Sequence, residues 1–140
     1  MDVRFPDRRE FGVKRQRIIP YLYYADGIAA VEYLASTFGF QEREKVVRDD
    51  GSLMHAELGY DDNVVMLGSP EGERGGAPNL DDRTHRGSVM CYVDDVDGHC
   101  SRSRAAGARI TMDLETKPYG ERMYGATDPE GHVWFFGSAG

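Results

Sequence analysis

The chain has 140 residues, a length that fits one domain able to bury enough apolar surface to fold without disulfide bonds or a structural metal. Its formal net charge of -7 argues against a dedicated nucleic-acid surface, because phosphate binding requires clustered lysine and arginine. Its apolar runs are too short to cross a bilayer, and its first residues lack a signal-peptide pattern. We therefore expect a soluble, cytoplasmic protein that binds neither nucleic acid nor membranes.

Residues 1–17 form a basic arm with six basic and three acidic residues, whereas the rest of the chain is acidic. Two interpretations stay open for this arm. It packs against its own domain or a second subunit, which its charge favours, or it is a solvated chain end.

The first half of the chain, residues 18–70, has the pattern of a βαβββ module. A β-type run at residues 19–24 precedes Asp26, whose carboxylate suits a helix N-cap. Apolar residues then recur at helical spacing until Gly39, a residue type that commonly ends a helix. Three further β-type runs follow, separated by turns rich in Asp, Gly and Asn. These runs are residues 40–47, 53–59 and 63–68.

The second half, residues 87–139, repeats this plan after a linker at residues 71–86 that is rich in Gly, Pro and Asn. Asp94 and Gly107 stand 68 positions after their counterparts in the first half, and they predict the start and the end of a second helix. The predicted strands of this half are residues 88–93, 108–114, 121–126 and 132–137.

Two such modules predict an α+β fold. Four mainly antiparallel strands with one helix cannot bury both faces of a sheet, so two paired modules leave a curved inner face that can hold a ligand. We therefore predict a single domain over residues 18–140, in which two tandem βαβββ modules form a curved, mainly antiparallel sheet.

Two motifs in the second half resemble a known signature. Residues 117–122 are Lys-Pro-Tyr-Gly-Glu-Arg, and residues 128–134 are Asp-Pro-Glu-Gly-His-Val-Trp. They are similar to the Pro-(Trp/Tyr)-Gly and Asp-Pro-x-Gly motifs of glyoxalase and bleomycin resistance proteins, so residues 18–138 resemble the vicinal oxygen chelate (VOC) superfamily. The resemblance implies the doubled βαβββ fold and a homodimer, because relatives often complete their cleft across two subunits; it is specific for fold and not for activity. The other matching segments are residues 19–22, 54–58 and 92–97.

Metal-dependent members of that superfamily place ligands on the first and last strand of each module. Carried over through the resemblance, these four positions hold Pro20, Met66, Ser88 and Phe135. None of the four suits a hard or borderline cation, which binds imidazole, carboxylate, thiolate or carbonyl donors. The comparison of positions therefore implies that this chain lacks the family's metal site. No cofactor is predicted, and a divalent metal at a displaced site stays an alternative.

His55 and Glu57 are the strongest polar candidates in the sequence. They alternate along a strand, so both point to one face, and we expect that face to line the cavity because their neighbours in the strand are apolar. They are candidates for a catalytic general base, or for two ligands of a displaced metal, where three or four protein ligands are usual. We interpret His85, in the linker, and His99, on the second helix, as surface residues.

Strand alternation predicts a lining of aromatic and methionine side chains, which favours flat, partly apolar ligands. Packing of a solid core stays an open alternative for part of this set. Arg122, next to Glu121 and near Tyr119, forms either a surface ion pair or an anchor for a carboxylate, phosphate or amide of the ligand. The predicted ligand-binding residues are Leu22, Tyr24, His55, Glu57, Met66, Met90, Tyr92, Arg122, Tyr124 and Phe135.

Three functions fit these features. The first is a metal-free protein that sequesters or recognises a partly aromatic small molecule, as bleomycin resistance relatives do in antibiotic resistance. The second is a lyase, isomerase or dioxygenase that uses a displaced metal or a general base formed by His55 and Glu57. The third is an interaction module without a ligand. We prefer the first, because it requires only a cleft, aromatic walls and a few polar anchors.

Overall fold

A computed structural model of the chain describes residues 16–69 and 88–138. The described residues divide into two compact units. The first unit consists of residues 16–35 and 39–69. The second unit consists of residues 88–138 together with three residues, 36–38, from the end of the first helix.

The first unit contains a four-stranded sheet and most of one helix. Its elements in chain order are β1 (Tyr21–Tyr23), α1 (Gly27–Phe38), β2 (Gln41–Val47), β3 (Leu53–Tyr60) and β4 (Asn63–Gly68). The strands lie in the order β1-β4-β3-β2, with β1 parallel to β4 and the other neighbours antiparallel. Because Pro20 has no amide hydrogen to donate, it is a natural boundary for the short β1.

The second unit repeats this topology. Its elements are β5 (Ser88–Tyr92), α2 (Val96–Ala105), β6 (Arg109–Thr116), β7 (Arg122–Thr127) and β8 (Val133–Ser138). The strands lie in the order β5-β8-β7-β6, and only β5 and β8 are parallel. The predicted α+β fold of two βαβββ modules is therefore confirmed. Within the described ranges, no helix has the length and apolar character needed to cross a bilayer.

Each helix begins after an aspartate that caps its first turn. Asp26 Oδ1 accepts a hydrogen bond from the backbone nitrogen of Ala29 at 3.0 Å, as predicted. In the second helix the N-cap is Asp95, whose Oδ1 accepts from the nitrogen of Gly98 at 3.0 Å, and not Asp94. The two neighbouring aspartates offer identical side chains, and the backbone conformation decides which of them caps.

The predicted spacing of 68 positions between the modules holds at the glycines that follow the helices, Gly39 and Gly107, which both have positive φ. At the two N-caps the spacing is 69. It is also 69 in the first strands, because Tyr23 and Tyr92 each pair with a glycine in the last strand of their module. A shift of one residue turns a strand residue to the opposite face of its sheet, so this difference affects the predicted site.

One face of each sheet is apolar and buried. In the first sheet, Leu58 and Leu67 are fully buried, and in the second sheet Tyr124, Trp134 and Phe136 are. Burying a side chain of this size stabilises the fold by about 1.5–3 kcal/mol relative to leaving it exposed. These side chains hold each unit together, and the opposite faces are left for other roles.

The end of the predicted basic arm is tied to the first unit. The side-chain nitrogen of Gln16 donates to the carbonyl of Val64 at 2.9 Å, and its side-chain oxygen accepts from the Val64 backbone nitrogen at 2.7 Å. Gln16 thereby satisfies backbone groups that a neighbouring strand would otherwise pair. Residues 1–15 of the arm, the linker at 71–86 and His85 lie outside the described residues.

Candidate functional site

The face of the first sheet opposite its apolar core side carries the polar candidates. Cross-strand partners point to the same side of a sheet, and Met66 pairs with both Tyr21 and Glu57. His55 and Tyr23 lie two residues from Glu57 and Tyr21, so they point the same way. We call this set of five residues, Tyr21, Tyr23, His55, Glu57 and Met66, the polar face.

Three side chains of the polar face lie in a line. The hydroxyl of Tyr21 is 3.1 Å from Nδ1 of His55, and Nε2 of His55 is 3.9 Å from Oε1 of Glu57. Glu57 is completely buried and His55 is 4% exposed, whereas Tyr21 is 40% exposed. A buried carboxylate, an imidazole and a solvent-accessible phenol thus follow one another, from the interior of the unit to its surface.

A glycine makes the contact between Tyr21 and His55 possible. Tyr21 belongs to the row of Met66 and Glu57, so its side chain must pass diagonally over Gly68 to reach His55. A Cβ atom at Gly68 would stand 2.9 Å from the Tyr21 hydroxyl and 3.1 Å from the carbonyl oxygen of Met54. Real Cβ atoms essentially never stand at 2.9 Å from another atom, so a side chain at this position would push the Tyr21 hydroxyl aside, whereas glycine leaves its path open.

The surroundings of Tyr21 keep its hydroxyl protonated. Burial raises the pKa of Tyr21 above its usual value of 10.0, and the neighbouring Tyr23 raises it further. The positive charge of Arg48 acts in the opposite direction and has a smaller effect. The centroids of the Tyr21 and Tyr23 rings are 5.1 Å apart, so two aromatic rings are neighbours on the polar face.

The corresponding face of the second sheet has no such polar set among its paired residues. Phe135 pairs with both Met90 and Gly125, and Gly125 stands where the first sheet has Glu57. A Cβ atom at Gly125 would lie 3.0 Å from the Phe135 ring, so the phenyl ring occupies the space over the glycine. On the side of this sheet opposite the buried Tyr124, Trp134 and Phe136 lies a set of residues that we call the apolar face: Met90, Tyr92, Met123, Gly125 and Phe135.

The rim of the apolar face carries one hydrogen-bonded tyrosine. Tyr92 is 58% exposed, and its hydroxyl donates to Oε2 of Glu121 at 2.7 Å. That hydrogen bond raises the pKa of Tyr92, and the negative charge of Glu121 acts in the same direction. Of the predicted lining residues, Met90, Tyr92 and Phe135 lie on the apolar face of the second sheet, and Met66 lies on the polar face of the first.

Three predicted ligand-binding residues lie elsewhere. Leu22 pairs with Leu67, which places it on the apolar core side of the first sheet. Tyr24 follows the end of β1 and is buried, and Tyr124 pairs with Phe136 in the core of the second unit. The prediction assumed the opposite phase of alternation in β1 and β7, and it did not include Tyr21 and Tyr23, which lie on the polar face. The pairing of β1 with β4 shows which residues of β1 point to this side of the sheet. In the sequence, the only sign of this is that Tyr21 and Tyr23 are two positions apart.

Arg122 takes part in a surface ion pair. Its Nε donates to Oδ1 of Asp97 at 2.7 Å, and its Nη1 donates to the hydroxyl of Thr116 at 3.1 Å. Arg122 precedes Met123 in β7, so it points to the side opposite the apolar face. Both members of the ion pair are substantially exposed, and such pairs contribute little to stability.

His99 is a core residue, and the prediction of a surface position is wrong. It is only 5% exposed, its Nδ1 lies 2.6 Å from the hydroxyl of Tyr124, and its Nε2 lies 2.8 Å from the carbonyl oxygen of Phe38. The Tyr124 hydroxyl also contacts the hydroxyl of Ser103 at 3.0 Å. The polar sequence of α2 concealed this, because two of the four residues that the helix buries, His99 and Ser103, are polar side chains that form hydrogen bonds.

The side chains present do not fit the metal of metal-dependent VOC proteins. The backbone nitrogen of Met66 donates to the carbonyl of Pro20 at 2.9 Å, so these two positions are neighbours, yet their side chains offer only a pyrrolidine ring and a thioether. The Phe135 side chain has no atom that can bind a metal. With the 69-residue spacing between the first strands of the two modules, the counterpart of Pro20 is Val89 and not Ser88. Within residues 16–69 and 88–138, no three His, Cys, Asp or Glu side chains are grouped to hold a metal ion.

The chain is similar to known proteins in sequence. The sequence profile of the Glyoxalase/Bleomycin resistance protein/Dioxygenase superfamily matches residues 17–136. The uncharacterized protein Mb0911c of Mycobacterium bovis is 30% identical over 121 residues, which cover 84% of this chain and 80% of that protein. The uncharacterized protein Rv0887c of Mycobacterium tuberculosis is also 30% identical over 121 residues, covering 84% of this chain and 71% of its own length.

Solved structures share the fold. TioX from Micromonospora sp. ML1 superposes with a TM-score of 0.71 at 33% identity, covering 86% of this chain and 96% of TioX. The fosfomycin resistance protein FosX of Listeria monocytogenes superposes with a TM-score of 0.62 at 14% identity, covering 90% of this chain and 92% of FosX. At 14% identity the second likeness concerns the fold alone.

Proposed function

Because the chain belongs to the Glyoxalase/Bleomycin resistance protein/Dioxygenase superfamily, we propose that it binds a partly aromatic small molecule and sequesters or recognises it without chemical change. The polar face supports this proposal. It combines two aromatic rings and a methionine with a tyrosine hydroxyl that is hydrogen-bonded to a buried histidine. Ligand sites in proteins commonly join apolar walls to a few fixed polar groups in this way.

The observation that carries the proposal is the line from Glu57 through His55 to Tyr21. Burying a carboxylate and an imidazole opposes folding unless their interactions compensate for the lost hydration. The equivalent place in the second unit is filled by Gly125 and Phe135, at no such cost. The first module has buried polar side chains at a place where the second module has only Gly125 and Phe135. This difference favours a role in recognition over a role in stability.

We propose that binding requires no metal. The supporting argument is the chemistry of the family's ligand positions, which by the 69-residue spacing hold a proline, a methionine, a valine and a phenylalanine in this chain. Metals of this class bind nitrogen, carboxylate or thiolate ligands. His55 and Glu57 together provide two such ligands, which is fewer than the usual three or four.

A thermal-shift screen of aromatic compounds tests the proposed function. A compound that binds the folded state must raise the melting temperature in proportion to the logarithm of its concentration. We expect hits among aromatic compounds with one polar group, unchanged after treatment with a chelator, and reduced in Glu57→Gln. Elemental analysis that finds one metal ion per chain, with binding abolished by chelation, would contradict the metal-free proposal.

A second candidate is an enzyme of the lyase, isomerase or dioxygenase type. The distance of 3.9 Å between His55 Nε2 and Glu57 Oε1 favours it, because a carboxylate beside an imidazole can raise the basicity of a general base. Turnover of any compound found in the screen, lost in His55→Gln but with binding retained, would support this candidate over simple sequestration.

A third candidate is an interaction module without a small-molecule ligand; it predicts that no compound in the screen shifts the melting temperature.

We also propose a homodimer, in which the basic arm contacts the partner subunit, and a part in antibiotic resistance. Sedimentation of the full chain and of a variant lacking residues 1–15 tests the arm. An unchanged dimer in the truncated variant would show that the arm does not hold the subunits together.

A further inference from the structure

We infer that Tyr21 is the residue through which the polar face contacts its ligand, and that its hydroxyl oxygen accepts a hydrogen bond from an O–H or N–H group of that ligand. This inference rests on the proposed function and adds to it the polarity of the contact and the class of ligand. It is carried by the burial of three residues and by the distances between them.

Burial selects Tyr21 among the three aligned groups. Glu57 is fully buried and His55 is 4% exposed, so a molecule arriving from solvent reaches neither without displacing other side chains. Tyr21 is 40% exposed, and its hydroxyl is already in contact with His55. The buried pair therefore acts on a ligand through Tyr21, and His55 and Glu57 serve as positioning residues.

The direction of the hydrogen bonds follows from the position of Glu57. A neutral imidazole carries one hydrogen, on either Nδ1 or Nε2. Oε1 of Glu57 stands 3.9 Å from Nε2, which is too long for a hydrogen bond, but this carboxyl oxygen on the Nε2 side of the ring is an acceptor that favours a hydrogen on that nitrogen. Nδ1 then has a free electron pair, so it accepts the hydrogen of the Tyr21 hydroxyl at 3.1 Å.

A tyrosine that donates its hydrogen inward presents its oxygen outward as an acceptor. The raised pKa of Tyr21 agrees with this arrangement, because the phenol keeps the hydrogen that it donates. The matching ligand group is a donor, such as a phenol O–H or an arylamine N–H. An aryl carboxylate does not match, since it has no hydrogen to donate at neutral pH.

The neighbours of Tyr21 define the rest of the ligand. The Tyr23 ring lies 5.1 Å from the Tyr21 ring at an angle of 36°, and Met66 pairs with Tyr21 in the adjacent strand. Aromatic rings and thioethers favour contact with a flat apolar group. The geometry thus points to a neutral aromatic ring with a donor group on its edge.

Two probes, in which a methyl group replaces the donor hydrogen of one to give the other, test this inference. The affinities of 2-naphthol and 2-methoxynaphthalene are measured by calorimetry with the wild-type chain, Tyr21→Phe and Tyr23→Phe. A single added hydrogen bond is expected to give the wild type about a fivefold preference for 2-naphthol. Tyr21→Phe should lose this preference, and Tyr23→Phe, which keeps the Tyr21 hydroxyl, should retain it.

The outcomes separate the inference from the proposed function. Equal affinities of the two probes for the wild type, or an unchanged preference in Tyr21→Phe, would overturn the inference while the proposed function stands. If the wild type binds neither probe, the result counts against the proposed function and therefore against both.

A measurement without ligand tests the polarity of the contact directly. Nitrogen chemical shifts of the His55 ring distinguish the two neutral forms, and the His55→Gln variant assigns the signals. We expect the hydrogen on Nε2 in the wild type and a shift of the Nδ1 signal in Tyr21→Phe. A hydrogen on Nδ1 would mean that His55 donates to Tyr21, and the inferred polarity would be wrong whatever the binding data show.

Discussion

The imidazole of His99 and the hydroxyl of Tyr124 lie 2.6 Å apart in the interior of the second unit. The other ring nitrogen of His99 contacts the carbonyl oxygen of Phe38 at 2.8 Å, and the His99 ring lies 4.4 Å from the ring of Phe136. Through these contacts α2, which has few apolar residues, is attached to the sheet by hydrogen bonds as well as by packing. Hydrogen bonds between buried groups are costly to break, because each lost partner leaves a buried polar atom.

The burial of His99 predicts that stability depends on pH. Burial lowers the pKa of His99 below 6.5, the positive charge of Arg102 acts in the same direction, and the Phe38 carbonyl opposes both. The unfolded chain therefore binds a proton at a higher pH than the folded chain does. The titration of His99 should leave the free energy of unfolding independent of pH well above pH 6.5 and should make it fall as the pH decreases below that value, by at most about 1.4 kcal/mol per pH unit.

Urea unfolding between pH 4.5 and 8 measures this dependence. His99→Gln removes the titrating group, so we expect that variant to be less stable at pH 8 and to show a smaller loss between pH 6.5 and 5. A variant with the same slope as the wild type would show that another group is responsible.

The N-cap of α2 gives a second prediction with a control in the next residue. Asp95→Ala removes the carboxylate that accepts from the Gly98 nitrogen, so we expect a loss of about 1 kcal/mol in the free energy of unfolding. Asp94→Ala changes an exposed side chain that does not cap the helix, and its effect should stay within about 0.5 kcal/mol. Urea unfolding of both variants checks this, and a reversed order would restore Asp94 as the cap.

The turn before β8 gives a third prediction. Asp128 Oδ1 accepts from the backbone nitrogens of Glu130 and His132, and its Oδ2 accepts from Nε1 of Trp134 at 3.1 Å. Asp128→Ala leaves these donors without that carboxylate, and we expect a loss on the order of 3 kcal/mol. The chain has a single tryptophan, so its fluorescence reports the change directly. Glu130→Ala is the control in the same turn, and equal losses in the two variants would contradict the assigned role of Asp128.

Gly68 gives a fourth prediction, which concerns the polar face. A Cβ atom at this position would stand 2.9 Å from the Tyr21 hydroxyl, so Gly68→Ala should displace the tyrosine from His55 while keeping both side chains. We expect it to reduce the preference for 2-naphthol about as much as Tyr21→Phe does. In the Tyr21→Phe background, Gly68→Ala should have little further effect on the preference, because the hydroxyl is already absent. Additive effects would show that Gly68 acts independently of Tyr21.

Much of the fold could be predicted from local signals. The bounds of β4 agree with the prediction at both ends, and Asp26 and Gly39 delimit α1 as expected. These features depend on turn residues, caps and periodicity, which act over a few neighbouring positions. The family resemblance, based on two short motifs, is confirmed by the profile match over residues 17–136.

The candidate site was less predictable. His55 and Glu57 were recognised because alternation within one strand is a local property. Tyr21 and Tyr23 were missed, and Leu22 was placed on the wrong face, because the phase of β1 is set by its pairing with β4, more than 40 positions away. His99 was assigned to the surface because its burial depends on Tyr124 and Phe38, which are distant in sequence.

The sequence by itself determined the doubled βαβββ plan, the family and the polar pair His55 and Glu57, since patterns and motifs along the chain carry that information. Only the tertiary structure decided which tyrosine meets His55, which aspartate caps α2 and that His99 is buried. Each of these outcomes depends on the register between strands or on packing between distant segments. A shift of one residue in that register reverses the face on which a side chain lies, and composition and periodicity do not fix it.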